Sequence, residues 1–187
     1  MSARHTGCRR WTAVVMVACV TALATGCGTL TSTRSIDVDA RERWALLPID
    51  NLSSTPMAGR KAAALVETYL RTRGVTEISS YRPAAPATLV AFLADDTGGG
   101  DATRWAKQEG QHYALEGTVH EWSYKRAPDR EPAVGLTLTL RDVQSGAVLW
   151  QGTASRSGWG SASLSSVADR VVRDLLDELR VRLPGGD

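Results

Sequence analysis

Residues 134–141 alternate without a break. Val134, Leu136, Leu138 and Leu140 stand between Gly135, Thr137, Thr139 and Arg141. Successive side chains of a strand point to opposite faces, so this run specifies a half-buried strand and fixes its inner face. The chain on both sides keeps the same character. Residues 112–125 are β-like, Ser145-Gly146 is a turn signal, and residues 147–154 return as a third strand. Three strands with short connections make an antiparallel meander. Its first link, residues 126–132, is charged and carries prolines, which suits an exposed hairpin tip.

Upstream the period is different. Residues 44–49, Trp-Ala-Leu-Leu-Pro-Ile, form a short apolar run ending in Asp50-Asn51 and read as a buried strand. Ser53-Ser54-Thr55-Pro56 is a helix-start signal, and Ala58, Ala62, Leu65, Val66, Tyr69 and Leu70 then share one helical face. Gly74 ends that helix, and residues 75–79 offer a second strand. Strand, helix and strand imply a parallel pair with a right-handed crossover. Residues 86–93 suggest a short helix. Asp96 to Asp101 reads as a glycine loop, with Asp101 capping a helix that Gly110 stops. The last element has the strongest stripe: Leu164, Val167, Ala168, Val171, Val172, Leu175, Leu176 and Leu179. It reads as a helix running to Pro184, with Glu178 and Arg182 paired at i,i+4. The expected fold is α+β. A mixed sheet with a βαβ start and a C-terminal meander carries packed helices and ends in a long helix.

The first 27 residues are not part of that fold. Arg4, Arg9 and Arg10 precede an apolar stretch, residues 11–24, that ends in Ala24-Thr25-Gly26-Cys27. Fourteen residues span about 21 Å as a helix, short of the roughly 30 Å hydrocarbon core, so an export signal fits better than a permanent span. Removing residues 1–26 takes away three arginines and no acid, leaving 19 basic against 20 acidic residues, a net charge of −1. That balance disfavours a nucleic-acid partner. All three cysteines, Cys8, Cys19 and Cys27, lie in the first 27 residues. The body of the chain therefore has no thiolate nucleophile, no disulfide and no cysteine metal site. Residues 28–42 are polar and read as a flexible tether, roughly 50 Å at full extension.

Candidate chemistry is sparse. His112 and His120 lie eight residues apart on one expected strand, about 27 Å, too far to serve one site. No nucleophile elbow frames a serine. Asp95, Asp96 and Asp101 lack calcium-loop spacing, and Gly98-Gly99-Gly100 lacks a phosphate-loop ending. The reading is therefore no catalytic residue, no cofactor and no metal. Contact residues are better supported. Trp159 lies between two glycines on a loop, and a tryptophan there is either a partner contact or a lid over the core. Trp122 and Tyr124 share a strand face with His120, a face that either meets solvent or is covered by a helix, and Arg126 stands at the hairpin tip. These four are the partner-contact candidates.

Gly26-Cys27 after that leader resembles the lipobox of bacterial lipoproteins, with Ala24 where the family prefers leucine. The resemblance implies cleavage between Gly26 and Cys27 and a diacylglycerol on Cys27. Gly28 in place of an aspartate implies the outer membrane, on its periplasmic side, with inner-membrane anchoring as the alternative. Gly117-Thr118-Val119, Arg141-Asp142, Ser145-Gly146 and Leu149-Trp150-Gln151-Gly152 follow a recurring order, as does Leu46-Leu47-Pro48-Ile49-Asp50-Asn51 upstream. Together they resemble a family of outer-membrane lipoproteins of unknown function, known from neisserial surface antigens and related to CsgG, LpoB and TolB N-terminal domains. The domains expected are a signal peptide over 1–26, a lipidated tether over 27–42, one periplasmic domain over 43–183 and a tail over 184–187. The implied function is a non-catalytic protein-binding or assembly module. It has a lipid-mediated membrane contact, an envelope protein as partner, and oligomer formation open. A regulator of a peptidoglycan synthase and an envelope hydrolase are the alternatives.

Overall fold

The structure, a computed structural model, describes residues 28–83, 99–125 and 130–182. The leader, Gly26, Cys27, the expected helix over 86–93, Gly98, Arg126 and the tail lie outside them. Among the described residues, eight strands and three helices follow in chain order. They are β1 (Gly28–Ser32), β2 (Ile36–Asp39), β3 (Trp44–Asn51), α1 (Ala58–Thr72), β4 (Ile78–Ser80) and α2 (Gly99–Gln108). Then come β5 (Tyr113–Tyr124), β6 (Pro132–Asp142), β7 (Val148–Ser157), α3 (Leu164–Asp177) and β8 (Leu179–Arg182).

Six strands form one mixed sheet in the order β1-β7-β6-β5-β3-β4. The meander is as expected, since β5 pairs antiparallel with β6, and β6 with β7. The βαβ start is also present, with β3 parallel to β4 on one side and to β5 on the other. Val134, Leu136, Leu138 and Leu140 are all buried, on the face covered by α1 and α3. The other face is covered in part by α2. There Ala102 and Ala106 pack with Ala45, Leu47, Ala114 and Val143.

The helices are placed by their small and branched residues. α1 buries Ala58, Gly59, Ala62, Val66 and Leu70. Its exit is a left-handed Gly74 (φ 89°), after which the Val75 N–H returns to the Leu70 carbonyl at 3.1 Å. α3 buries Val167, Ala168, Val171, Val172, Leu175 and Leu176, and Ser163 caps its start by accepting from the Ser166 N–H at 3.1 Å. The two helices are tied by Tyr69, whose hydroxyl donates to Asp169 at 2.9 Å and accepts from Arg173 at 2.9 Å.

Three expectations are corrected. The polar stretch over 28–42 is not a tether. Its Gly-Thr-Leu-Thr-Ser start is β1, paired residue for residue with β7, and residues 36–39 are β2, parallel to β8. Among the described residues, regular structure is therefore already present at Gly28, ahead of residue 43. The last helix stops at Asp177, and Leu179–Arg182 becomes β8 because β2 offers it a ladder. Arg182 consequently bonds Asp37 at 2.7 Å, and Glu178 accepts from Ser32 and Ser35 at 3.2 Å. α2 begins at Gly99, so Asp101 sits inside its first turn and pairs with Arg104 at 2.8 Å.

Candidate functional site: the Trp159 end of the sheet

One end of the sheet carries three of the five exposed large apolar residues among the described ones, while Leu30 lies on β1 and Val148 at the opposite end. β3 and β5 finish at that first end, β6 begins there, and β7 leads there into the loop before α3. Trp159 is 67% exposed, Leu52 71% and Tyr124 43%.

Trp159 points outward because of the glycine before it. Gly158 is buried and donates its N–H to the Pro132 carbonyl at 2.8 Å. A Cβ on it would lie 2.7 Å from Ala162 Cβ and 2.9 Å from Pro132 and Val167. The backbone is therefore pressed into the fold just before the indole, and Gly160 turns the chain with φ 60° just after it. With the indole 67% exposed, Trp159 does not fold back as a lid over the core.

Tyr124 is anchored from the other side. Its hydroxyl accepts from the Leu164 N–H at 3.3 Å, at the first residue of α3, and the Arg130 guanidinium lies 5.9 Å from its ring. Lys125 donates to Ser157 Oγ at 2.8 Å. The end therefore carries two cations beside the aromatic groups, a pattern suited to an anionic or polar-apolar boundary.

Leu52 stands on a tight loop. Asn51 Oδ1 accepts from the Ser53 N–H and Oγ at 3.1 and 2.7 Å, and Asn51 Nδ2 donates to the Thr55 carbonyl at 2.8 Å. The Leu52 N–H bonds the Val119 carbonyl at 2.9 Å, and Thr55 Oγ1 donates to the Trp122 carbonyl. Met57 holds a left-handed φ of 61° at the entrance to α1.

Trp122 is corrected. It is 4% exposed and belongs to the core. The cause is a bulge: Val119 opposes Leu136 and Glu121 opposes Gly135, leaving His120 unpaired between them. The extra residue turns Trp122 inward and leaves His120 outside, where Nε2 lies 2.8 Å from Thr137 Oγ1. His112 sits at the opposite end of β5, 3.8 Å from Glu42. The two histidines are not brought together. Among the described residues no group of His, Asp or Glu is arranged to hold a metal.

Two features of this end escape the sequence reading. Leu52 is one, although the Asn-Leu-Ser-Ser run is a turn signal. The other is β1. Gly28 pairs with Arg156, so β1 starts at this same end and runs away from it. The alternation of Thr29, Leu30 and Thr31 was the available signal. Arg156 in turn holds Asp174 of α3 at 2.6 Å. Elsewhere in the fold, two carboxylates are stabilised by the hydrogen bonds they accept. Hydrogen bonds from Arg41 hold Asp39 down to about 2, and those from Ser145 lower Asp142.

No family model matches this chain. Among solved structures it is similar to PelC of Paraburkholderia phytofirmans, crystallised as a dodecamer. The two are 34% identical with a TM-score of 0.70, over 83% of this chain and 100% of that one. Lipoprotein GNA1162 of Neisseria meningitidis is 21% identical over 73% of this chain and 96% of its own, with a TM-score of 0.49. A longer Rhizobium meliloti (strain 1021) protein, "Putative adenylate cyclase 3", is 27% identical over 79% of this chain. This chain spans 22% of that protein's length.

Proposed function

This chain belongs to the PelC family, and we propose that it is a lipid-anchored, non-catalytic assembly module of the bacterial cell envelope that works as a homo-oligomer. The carrying observation is coverage. The alignment takes in 100% of a PelC chain that crystallises as a dodecamer, at 34% identity, so the shared unit is the whole folded domain. A twelve-membered assembly is the reading this supports.

Anchoring supplies the orientation. Cys27 is the lipid-bearing residue of the reading, and Gly28 after it favours the outer membrane, on the periplasmic side. Gly28 already stands in β1, opposite Arg156, which lies three residues before Trp159. A lipid there turns the Trp159 end toward the bilayer and keeps the domain against it. That closeness weighs against a regulator that must reach a distant synthase. Copies anchored in one leaflet must also present this end on the same side. A closed ring about the membrane normal satisfies that condition, whereas a two-fold across the membrane plane does not.

Native mass spectrometry of the acylated protein extracted in detergent tests the assembly, with a dodecamer expected and a monomer overturning it. Palmitate labelling tests the anchor. The wild type should label and Cys27→Ser should not; equal labelling of both would remove the lipid from the reading.

A further inference from the structure

The two edges of the six-stranded sheet are treated differently. β4 is three residues long, and Arg71 lies over its edge, reaching the Ile78 carbonyl at 3.5 Å and the Thr76 carbonyl just before the strand at 3.4 Å. Ser80 Oγ beside them donates to Glu67 at 2.9 Å. Such capping blunts an edge against further pairing.

β1 has no such protection. Its five residues, Gly-Thr-Leu-Thr-Ser, contain no charge and no proline, and they pair with β7 without a bulge. The Thr33 N–H bonds the Gln151 carbonyl at 2.9 Å, so by antiparallel alternation positions 29 and 31 also bond inward. The N–H and C=O of Leu30 and Ser32 then turn away from β7. Among the described residues nothing meets those of Leu30. Its side chain is 43% exposed, although its partner Ala154 is buried. Beside it an open groove of about 320 Å³ runs under the end of α3, lined by Gly28, Leu30, Arg156, Asp174, Asp177 and Glu178.

We infer that the free edge of β1, with the groove beside Leu30, is where a second copy of this chain docks in the assembly. The inference rests on the oligomer reading above. The neighbour does not bring its own β1. A two-fold β1–β1 pair would set the two Gly28 ends about 17 Å apart along the strands, at opposite ends, and both lipid-bearing residues could not then enter one leaflet. The contact is therefore between unlike surfaces, as a closed ring requires. It lies alongside the membrane and not on it, because β1 runs away from the anchored end.

The test is Leu30→Pro in the acylated full-length protein. Proline removes an outward N–H that β7 does not use, so circular dichroism should keep its wild-type form while the assembly is lost. Leu30→Lys keeps the N–H but places a charge on the edge, and it should also release single copies. It decides the matter should the proline variant lose its fold. Native mass spectrometry reads both, with a twelvefold fall in mass expected against a dodecameric wild type. A dodecameric wild type with equally dodecameric, folded variants overturns the β1 edge and leaves the oligomer reading standing. A monomeric wild type overturns both.

Discussion

Gly28 faces Arg156 across the β1–β7 ladder, and Arg156 stands three residues before Trp159. The lipid attachment proposed for the preceding residue thus has almost no slack relative to the exposed indole. In liposomes containing brominated lipids, the acylated protein should lose tryptophan fluorescence. Most of that loss should vanish in Trp159→Phe. Ten Gly/Ser residues inserted between Cys27 and Gly28 add roughly 17 Å of mean reach and should reduce the quenching. Undiminished quenching in Trp159→Phe would sink the proposed orientation.

The two tryptophans that the sequence offered as contacts should separate in stability. Trp122 is buried, so Trp122→Ala removes core volume and should cost about 3–5 kcal/mol. Trp159 is exposed, and Trp159→Ala should shift unfolding by no more than about 0.5 kcal/mol. Urea denaturation of both variants is the measurement. Equal costs would contradict the bulge that turns Trp122 inward.

What the sequence disclosed, and what it hid, follows from where each signal lives. The alternation of Val134 to Leu140 is local, and burial on one face enforces it, so β6 and the meander were legible. The stripe of α3 was legible up to Leu176. Leu179-Arg-Val-Arg182, however, fits a strand as well as a helix, and only β2, more than 130 residues away, decides between them. The bulge at His120 has no sequence mark, because it depends on how β6 lies against β5. Trp159 was legible as a loop residue between glycines. Its exposure depends on Gly158 being wedged against Pro132 and Val167, which no local pattern reports.

That wedge gives a third prediction. Gly158→Ala places a methyl 2.7 Å from Ala162 Cβ and 2.9 Å from Pro132 Cγ. The loop must move, at a cost of about 1–3 kcal/mol. Gly160→Ala has nothing near its Cβ but holds φ 60°, so it strains the backbone without overpacking. Thermal unfolding of both should rank Gly158→Ala as the more damaging.

Acid should weaken the fold in a defined window. Asp39 is held down from 3.8 to about 2, first by the Arg41 side-chain hydrogen bonds and then by the Arg41 backbone N–H. A carboxylate depressed in the folded state stabilises fully above its unfolded value and loses that contribution as pH falls through the folded one. The loss should therefore run from about pH 4 to about pH 2. Asp37, lowered by Arg182, and Asp142, lowered by Ser145, act in the same direction. The melting temperature of Arg41→Ala should fall less steeply across that window than that of the wild type. Identical slopes would remove the Asp39–Arg41 pair as a source of acid sensitivity.

The bulge makes an unusual deletion tolerable. Removing one residue from a regular strand turns every later side chain to the wrong face. His120 is the unpaired residue between Val119 and Glu121, so its deletion leaves Val119 inward, Glu121 outward and Trp122 inward, with β6 in its present register. The variant should keep the wild-type near-ultraviolet dichroism of its buried tryptophans and lose no more than about 2 kcal/mol. Deleting Thr137 from the bulge-free part of β6 should instead drive Leu138 and Leu140 outward and abolish folding. If the two deletions prove equally destructive, His120 is not the extra residue, and the inward placement of Trp122 needs another cause.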